Sequence, residues 1–436
     1  MTSTKPKISF AGLGAMGGGM ATNLVKQGFE VTGYDVFHPL LDRFVESGGK
    51  PSYTPKEAAA SADFMISMVA NAAQTSSLLF EGDDAAVHGL GKGKTLILCS
   101  TISPAFVSEI RKRLDEEFKR SDIKLLDCPV SGGTLRAGDG ELSIFSSGPD
   151  EDLQEAKQVL QAMSTNLYNM GAIGNGAKAK TIHQLLAAIN IATTAEVLGL
   201  AATIGLNTQS VFDAIQDSEG ASFMFGNRGP HALTNDWHPY SALGIILKDA
   251  MIVTDTARKE QFPVPLACTA ECTYLQGAQA GMLKDDDAKI VQLYLPPSQG
   301  DLVYQMTKAD AMMTASYQIS KDTIINLLCG IHLAASIEAM AFGKKLGVDG
   351  NLMYDIISKA AGSSGMFTKH IPSMLEKDQW KLSDCPDVEE VGRKLSEAVE
   401  KCRKINYPCP MAAAALQQFH FAKLAGKVIG NQGRGR

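Results

Sequence analysis

The sequence predicts an α/β domain at the N-terminal end of the chain, followed by an all-α region that occurs twice in tandem. Three observations support this prediction. Apolar strand-like segments alternate with segments of helical period over about 165 residues, as in α/β domains. From Ala177 onward the helical period dominates and strand signals disappear. The helical region also resembles itself at a fixed offset, which is typical of a duplicated domain.

The first β/α unit has the most regular pattern. Lys7–Ala11 is typical of a short apolar strand, Met20 and Leu24 recur at helical spacing, and Gly28 ends the predicted helix. A second strand follows at 30–35. Continued alternation of this kind predicts a mostly parallel sheet with helices on both faces. Further strands are predicted at 63–69, 95–99, 123–127 and 143–147, with a helix at 104–118.

A glycine-rich turn, Gly-Leu-Gly-Ala-Met-Gly, follows the first predicted strand. In such a turn the first glycine permits a tight bend, the second lets a pyrophosphate approach the backbone, and the third allows close helix–strand packing. The following helix N-terminus offers free N–H groups to phosphate. We therefore predict a Rossmann-type dinucleotide-binding domain, the alternative being a glycine turn without a ligand. The predicted cofactor contacts in the turn are Gly12, Leu13, Gly14, Ala15, Met16 and Gly17.

Asp35 ends the second predicted strand, at the position that distinguishes binding of NAD from binding of NADP. A carboxylate at this point accepts hydrogen bonds from the ribose hydroxyls of adenosine and would repel a 2′-phosphate. Residues 36–38 are Val, Phe and His, so no Lys or Arg is present there to hold that phosphate. The sequence favours NAD over NADP, although Asp35 could also be a simple turn residue.

A second glycine-rich segment follows the strand predicted at 123–127. Ser131 offers a hydroxyl, and Gly132 and Gly133 expose backbone N–H groups. Open α/β sheets bind ligands at the carboxyl ends of their strands. We therefore predict that these three residues bind a substrate carboxylate, the alternative being a purely structural turn.

A third group of polar residues lies where the first long helix begins. Lys180 and Gln184 are four residues apart and share one helix face, with His183 on nearly the same face. A lysine shielded from water near a nicotinamide can have a lowered pKa and exchange a proton with a substrate oxygen. We predict Lys180 as the acid/base and the other two as substrate contacts, the alternative being a solvated lysine. Lys248 and Asp249 are charges in an otherwise apolar segment, and Asp249 is a candidate to hold Lys180.

The repeat in the helical region has an offset of 142 positions. Residues 181–205 and 323–347 share eight identities in 25 aligned positions. Self-similarity at a fixed offset indicates tandem copies of one domain. The predicted domains are 1–172 for the dinucleotide, 173–295 for the first helical copy and 296–436 for the second.

Taken in order, these segments resemble the β-hydroxyacid dehydrogenases, a family that includes 3-hydroxyisobutyrate dehydrogenases and is related to 6-phosphogluconate dehydrogenase. The resemblance implies reversible NAD(P)-dependent oxidation of a 3-hydroxy acid. It implies that Lys180 is the catalytic acid/base and that Thr101 lies near the nicotinamide. Val69 and Lys248 are further predicted cofactor contacts. The matching segments are 12–17, 100–104, 127–133, 174–180 and 248–249.

Two departures from the family pattern affect the substrate and the second copy. The family usually has Asn four residues after the catalytic lysine, whereas this chain has Gln184, and with His183 it most resembles the branch of L-threonate dehydrogenases. In the second copy, Asp322 aligns with Lys180 and Asn326 with Gln184. We therefore expect a threonate-like sugar acid as substrate. We expect the second copy to be structural, taking the role that a partner subunit has in the family.

The sequence is also compatible with two other functions. One is a catalytically silent dinucleotide-binding scaffold, and the other is an imine-type reductase on the same fold. The presence of Lys180 argues against both, because a silent relative or an imine reductase would not be expected to keep that lysine.

Composition and charge limit the partners and the location. The net charge is −6 and no basic block is present, which disfavours nucleic-acid binding. The apolar stretch at 185–206 carries polar residues and is expected to be a buried core helix, not a membrane span. Cys268 and Cys272 are expected to be core residues, and no metal is predicted. We expect a cytoplasmic protein that binds a small hydroxy or oxo acid, as a monomer with an internal pseudo-dimer or as a homodimer.

Overall fold

The computed structural model describes residues 5–309, 319–378 and 380–431. The chain forms two compact units, of which the first ends at Thr181 and the second begins at Ile182. The boundary falls inside one long helix, Asn175–Thr203.

The first unit alternates strands and helices, as predicted. Its strands are β1 (Lys7–Ala11), β2 (Glu30–Tyr34), β3 (Lys50–Pro51), β4 (Phe64–Ser67), β5 (Thr95–Leu98), β6 (Lys124–Asp127), β7 (Val130–Ser131), β8 (Leu142–Ser146) and β9 (Ser164–Asn169). Its helices are α1 (Gly17–Lys26), α2 (His38–Glu46), α3 (Pro55–Ala60), α4 (Ala72–Phe80), α5 (Pro104–Lys112), α6 (Gly133–Asp139) and α7 (Asp150–Ala162). The helix Asn175–Thr203 is α8.

Six strands form one parallel sheet in the order β3-β2-β1-β4-β5-β6. Alternate strand residues enter two separate cores. Phe10 and Ile66 pack in one cluster, and Ala11 and Met65 pack in the other. Both faces of the sheet are therefore covered, which confirms the predicted parallel sheet of doubly wound type.

The strand predicted at 143–147 lies in a different sheet from the one expected. β7, β8 and β9 form a second, three-stranded sheet in which β7 and β8 are antiparallel. Only Cys128 and Pro129 separate β6 from β7, and a parallel return needs a crossover of a dozen residues or more. β9 was not predicted because its residues are mostly polar, in keeping with its partly exposed position. β3 was not predicted because it is an edge strand of only two residues and ends in proline.

The second unit is helical throughout the described residues. Beyond α8, its helices are α9 (Thr208–Gln216), α10 (Phe223–Thr234), α11 (Leu243–Lys259), α12 (Pro265–Gln279), α13 (Leu302–Gln305), α14 (Lys321–Lys345), α15 (Gly350–Ser358), α16 (Gly365–Leu375), α17 (Val388–Lys404) and α18 (Pro410–Asn431). Two of them, α8 and α14, are long and apolar enough to cross a membrane, but their most apolar stretches are wholly or mostly buried inside the protein. The expected core helix is therefore confirmed for α8.

Backbone contacts join the two halves of this unit symmetrically. Ser222 forms an antiparallel bridge with Ser364, which stands 142 positions later, at the offset of the predicted repeat. On either side, the N–H of Phe223 donates to the carbonyl of Ser363 at 3.0 Å, and the N–H of Gly365 donates to the carbonyl of Ala221 at 2.9 Å. The donors of these two bonds stand 142 positions apart, as do their acceptors, which is the offset of the predicted repeat. Such reciprocity is what an isologous interface between two identical subunits shows.

Two glycines, one in each half of the unit, pack against a leucine of the other half. A Cβ added at Gly220 would lie 3.2 Å from the Cβ of Leu328. A Cβ added at Gly362 would lie 3.1 Å from the Cβ of Leu186. These distances are tighter than ordinary carbon–carbon contact, so glycine at both positions lets the chain approach the long helix of the other half.

Two buried glutamates complete the symmetric contacts. Glu196 on α8 accepts hydrogen bonds from the N–H groups of Met411 and Ala412 at 2.7 and 3.1 Å, in the first turn of α18. Glu338 on α14 accepts from Leu266 and Ala267, both at 3.1 Å, in the first turn of α12. Helix N-termini carry unpaired N–H groups and a positive dipole end, so each carboxylate caps a helix of the other half.

We predict that Glu196→Ala and Glu338→Ala each lower the free energy of unfolding by about 3 kcal/mol, because each leaves two buried N–H groups without an acceptor. Chemical denaturation followed by circular dichroism measures the loss. Glu400→Ala is the control, because Glu400 is exposed and, within the described part of the chain, pairs with Arg403 on its own helix, so we expect a change below about 0.5 kcal/mol. Glutamate variants as stable as the control would contradict the capping role.

Candidate active site

Predicted site residues from five strands meet at one edge of the parallel sheet. Gly12 follows β1, Asp35 follows β2, Val69 follows β4, Thr101 follows β5 and Ser131 follows β6. All five strands are parallel, so these residues share the carboxyl edge. Strand order reverses direction between β1 and β4, and ligands bind doubly wound sheets at this switch point.

The turn after β1 has the steric features that a dinucleotide requires. Gly12 has a φ of +93°, and a Cβ there would lie 2.5 Å from the carbonyl oxygen of Met68. A Cβ on Gly17 would lie 1.9 Å from the carbonyl oxygen of Gly12. A Cβ on Gly14, by contrast, would meet nothing within 4 Å. Two glycines are thus needed for packing, and the third leaves open space over the backbone where a pyrophosphate fits.

Asp35 is held in place by two backbone groups. Its Oδ2 accepts from the N–H of Leu13 at 2.7 Å, and its Oδ1 accepts from the N–H of Phe37 at 2.8 Å. Each carboxylate oxygen has a second lone pair that can accept from a ribose hydroxyl. The next two side chains, Val36 and Phe37, are apolar and 81% and 59% exposed. These residues fit an adenosine ribose without a 2′-phosphate.

The segment after β6 adopts backbone conformations that favour glycine. Gly132 and Gly133 have φ values of +146° and +78°. A Cβ on Gly133 would meet nothing within 4 Å, so its backbone faces open space. Ser131 is buried in β7 immediately before them. The structure therefore brings together the three residues that the sequence predicts to hold a carboxylate.

Asp127, at the end of β6, anchors the start of α8. Its Oδ2 accepts from the N–H of Ala177 at 2.7 Å and from the hydroxyl of Ser147 at 3.1 Å. The same hydroxyl accepts from the N–H of Gly176 at 3.0 Å. A Cβ at Gly176 would lie 2.4 Å from the carbonyl oxygen of Phe145, so only glycine lets the helix approach this closely.

This anchor places Lys180 in relation to the sheet. Lys180 lies one turn after Ala177 on α8 and has only 6% of its surface exposed. Burial raises the pKa of Asp127 to about 7, while the hydrogen bonds from Ala177 and Ser147 oppose the rise. The sequence did not predict the role of Asp127. Two features of the sequence could have indicated this role. Asp127 stands at the end of a predicted strand, and a glycine-containing helix N-terminus follows 50 residues later.

Four further site residues form a connected chain in the second unit. Gln184 Nε2 donates to Asp249 Oδ2 at 2.5 Å, and Gln184 Oε1 lies 2.8 Å from His183 Nδ1. Lys248 Nζ lies 3.0 Å from Asp249 Oδ1. His183, Gln184 and Asp249 are all buried. The observed partners of Asp249 are thus Gln184 and Lys248, and its expected interaction with Lys180 stays a prediction.

The cysteine pair on α12 differs from expectation. Cys268 and Cys272 were expected in the core, but both are exposed. The helix turns their shared face outward, while its small residues, such as Ala267 and Ala270, are buried. Among the described residues, no group of three or more His, Cys, Asp or Glu side chains is arranged to hold a metal ion.

Comparison with known families identifies both parts of the chain. Residues 7–171 match the model of the NAD binding domain of 6-phosphogluconate dehydrogenase. Residues 174–294 and residues 321–430 match the model described as NAD-binding of NADP-dependent 3-hydroxyisobutyrate dehydrogenase.

Individual relatives agree with these matches. L-Threonate dehydrogenase of Cupriavidus necator is 38% identical over 288 residues, which are 66% of this chain and 95% of that protein. Mitochondrial 3-hydroxyisobutyrate dehydrogenase of Mus musculus is 29% identical, over 66% of this chain and 87% of its own length. The crystal structure of a 3-hydroxyisobutyrate dehydrogenase from Salmonella typhimurium is 34% identical with a TM-score of 0.62, over 66% of this chain and all of that one.

The predicted resemblance is therefore confirmed, together with the nicotinamide dinucleotide as cofactor. The domain with the parallel sheet and the helical region both match family models of related dehydrogenases. The chain belongs to the β-hydroxyacid dehydrogenase family of NAD(P)-dependent 3-hydroxyacid dehydrogenases.

Proposed function

We propose that the protein catalyses the reversible NAD-dependent oxidation of a small polyhydroxylated acid of the threonate type, with Lys180 as acid/base. The observation that carries this proposal is the anchoring of α8 by Asp127. It brings the turn with Lys180 to the carboxyl edge of the sheet, where the glycine turn and Asp35 also lie. Lys180 is buried, and a lysine side chain held close to the reacting carbon can exchange a proton with a substrate oxygen.

The other residues of this edge have complementary roles. Ser131 and the backbone N–H groups of Gly132 and Gly133 bind the substrate carboxylate, which fixes the reacting carbon. Lys180 takes the hydroxyl proton as the carbon is oxidised and returns it in the reverse direction. A bound nicotinamide supplies the acceptor for the hydride that leaves the carbon. Thr101, Val69 and Lys248 are proposed to contact this cofactor.

The substrate class is supported by two facts. The relative from Cupriavidus necator is named L-threonate dehydrogenase and aligns over nearly its full length. The chain also carries His183 and Gln184, two polar side chains that can contact additional hydroxyl groups of a sugar acid. We infer NAD as the preferred form because Asp35 is held by Leu13 and Phe37 and no cation follows it.

We further infer that the helical region is a tandem duplication, divided as 173–295 and 296–436. The same family model matches both stretches. The reciprocal contacts of Glu196 and Glu338 support this inference, because each glutamate caps a helix of the other half. The second copy, which belongs to the same chain, then takes the place that a partner subunit's helical domain would have in a dimer.

Replacing Lys180 tests the proposed acid/base. We expect Lys180→Ala to lower kcat with threonate by about 10²- to 10⁴-fold, the usual contribution of a positioned acid/base. NADH binding, followed by fluorescence titration, should be unchanged. Lys178→Ala is the matched control, because Lys178 lies on the same turn of α8 but is more exposed. Near-normal turnover in Lys180→Ala would refute the assignment.

Cofactor preference tests the role of Asp35. We expect kcat/KM of the wild-type protein to be higher with NAD than with NADP, because the carboxylate repels a 2′-phosphate. Asp35→Ser should lower kcat/KM for NAD by about tenfold or more, since a charge-assisted hydrogen bond is lost. Asp42→Ser, at an exposed position on α2, is the control. A wild-type preference for NADP would contradict the proposal.

The duplication predicts the oligomeric state. We expect the 46.5-kDa chain to be a monomer in light scattering, because both halves of the reciprocal interface lie within it. A protease site inserted between Pro297 and Ser298, in an exposed loop, should allow cleavage without separation of the fragments. The same site inserted at the exposed C-terminal side of α17, after Lys404, would cut inside the second copy and serves as the control. A homodimer whose inter-chain contact is made by the first copy, or fragments that separate on cleavage, would contradict the inference.

A further inference from the structure

A buried histidine lies at the contact between the two halves of the second unit. His332 on α14 is 1% exposed. Leu328 is one turn earlier on the same helix face, and its Cβ lies 3.2 Å from the position that a Cβ on Gly220 would take. The backbone of Gly220 also lies near the His332 ring. The imidazole is therefore covered by the connection between α9 and α10, residues 217–222, which we call the interface loop.

The ring of His332 is held in its neutral form. Within the described residues, neither ring nitrogen makes a hydrogen bond of ordinary length and angle. A neutral imidazole has one N–H donor, whereas a protonated imidazole has two and a positive charge. Burying a charge without partners costs far more than burying a neutral polar group. Burial accordingly lowers the pKa of His332 to about 4, and the backbone of Gly220 opposes the fall only in part.

The charged groups around this contact do not offer a counter-ion to the ring. Glu219, in the interface loop, pairs with Lys369 on α16 at 2.9 Å. Lys369 also pairs with Asp387, which directly precedes α17, at 3.4 Å. Within the described part of the chain, no charged group shifts the pKa of His332. The same holds for titratable groups on α14 and on the elements packed against it, among them Asp213 on α9, Asp355 on α15, His370 on α16, Lys401 on α17, His420 on α18 and Glu338 on α14 itself.

The matching contact in the other direction carries an amide. Asn190 on α8 stands 142 positions before His332, at the offset of the predicted repeat. Its Nδ2 donates to the carbonyl of Gly362 at 3.5 Å. A side-chain amide does not change its charge with pH. Of these two contacts, the one at His332 can therefore respond to protons and the one at Asn190 cannot.

We propose that His332 is a pH-sensitive switch in the contact between the two halves: protonation of its ring displaces the interface loop from α14, and deprotonation lets the loop return. The loop is the segment that moves, because it is the non-helical segment that covers the ring. Two backbone bonds between the halves open with it, from Phe223 to the carbonyl of Ser363 and from Gly365 to the carbonyl of Ala221. This inference goes beyond the proposed function, since it does not depend on the substrate.

Acidification weakens the contact in this proposal. With the loop displaced, the ring is in water and its pKa has the ordinary value of 6.5, whereas in the closed contact burial lowers the pKa to about 4. The open state therefore binds a proton more tightly, so the contact is strongest above about pH 6.5 and weakens as the pH falls toward about 4. At about pH 5 the equilibrium between the closed and open states shifts by about 30-fold relative to neutral pH.

Hydrogen–deuterium exchange of the full-length protein tests the switch. NMR measures the protection factors of the Phe223 and Gly365 amides at about pH 7.5 and about pH 5, relative to intrinsic exchange. His332→Asn introduces the residue type that stands at position 190. On acidification we expect protection at both amides to fall by about 30-fold more in the wild-type protein than in His332→Asn. Equal falls in the two proteins would overturn the proposal.

Two controls separate a local switch from general acid sensitivity. His420→Asn, at an exposed position on α18, should behave like the wild-type protein. The amide of Ile66, in β4 of the first unit, should show no difference between wild-type protein and His332→Asn. A difference at Ile66 as large as that at Phe223 would also overturn the proposal, because it would indicate unfolding of the whole protein.

Titration of the ring itself gives a readout that does not depend on exchange. NMR follows the His332 ring signals, assigned by their loss in His332→Asn, or in His332→Gln if the first variant does not fold. We expect the ring in the folded wild-type protein to stay mostly neutral down to about pH 5. A ring that titrates at the ordinary value of 6.5 while both backbone bonds stay protected would overturn the proposal.

Discussion

The first turn of α8 has backbone N–H groups that no residue of the helix itself can pair. Asp127 accepts from the N–H of Ala177, and Ser147 accepts from the N–H of Gly176. This single carboxylate connects the last strand of the parallel sheet to the helix that carries Lys180. Gly176 makes the contact possible, because any side chain there would collide with the backbone of Phe145. The position of Lys180 thus depends on a cap and a glycine that take no part in the chemistry themselves.

Buried carboxylates cap helix N-termini in the second unit as well. Glu196 and Glu338 are also buried carboxylates that accept from the first N–H groups of a helix. Burial raises the pKa of Glu338 to about 7, and the bonds from Leu266 and Ala267 oppose this rise. A buried carboxylate is costly unless its acceptors are satisfied. Each cap therefore satisfies a carboxylate whose burial would otherwise be costly, and the two glutamates stand 142 positions apart, at the offset of the predicted repeat.

The fold was predictable where a local pattern determines the structure, and not where distant residues do. The strand Lys7–Ala11, the glycine turn and the change to helix near Ala177 follow from periodicity and from glycine sterics. The second sheet was not predictable, because β9 is polar and β7 has two residues. Asp127 and Ala177 lie 50 residues apart, and Gln184 and Asp249 lie 65 residues apart. Only the tertiary structure reveals such pairs, so the sequence indicated the site residues but not their partners.

One helix, α8, connects these features in order along its length. Its first turn is held by Asp127, its second carries Lys180 and His183, and later turns carry Leu186 and Glu196 at the symmetric contacts. On α14, Leu328 and Glu338 match Leu186 and Glu196 at the offset of 142 positions, whereas the position at that offset from Lys180 holds Asp322. A second sheet domain would be needed to give that end of α14 a cofactor. Leu186 and Leu328, and likewise Glu196 and Glu338, are identical at the offset of 142 positions and lie at buried contacts, whereas the chemistry proposed for Lys180 has no counterpart on α14.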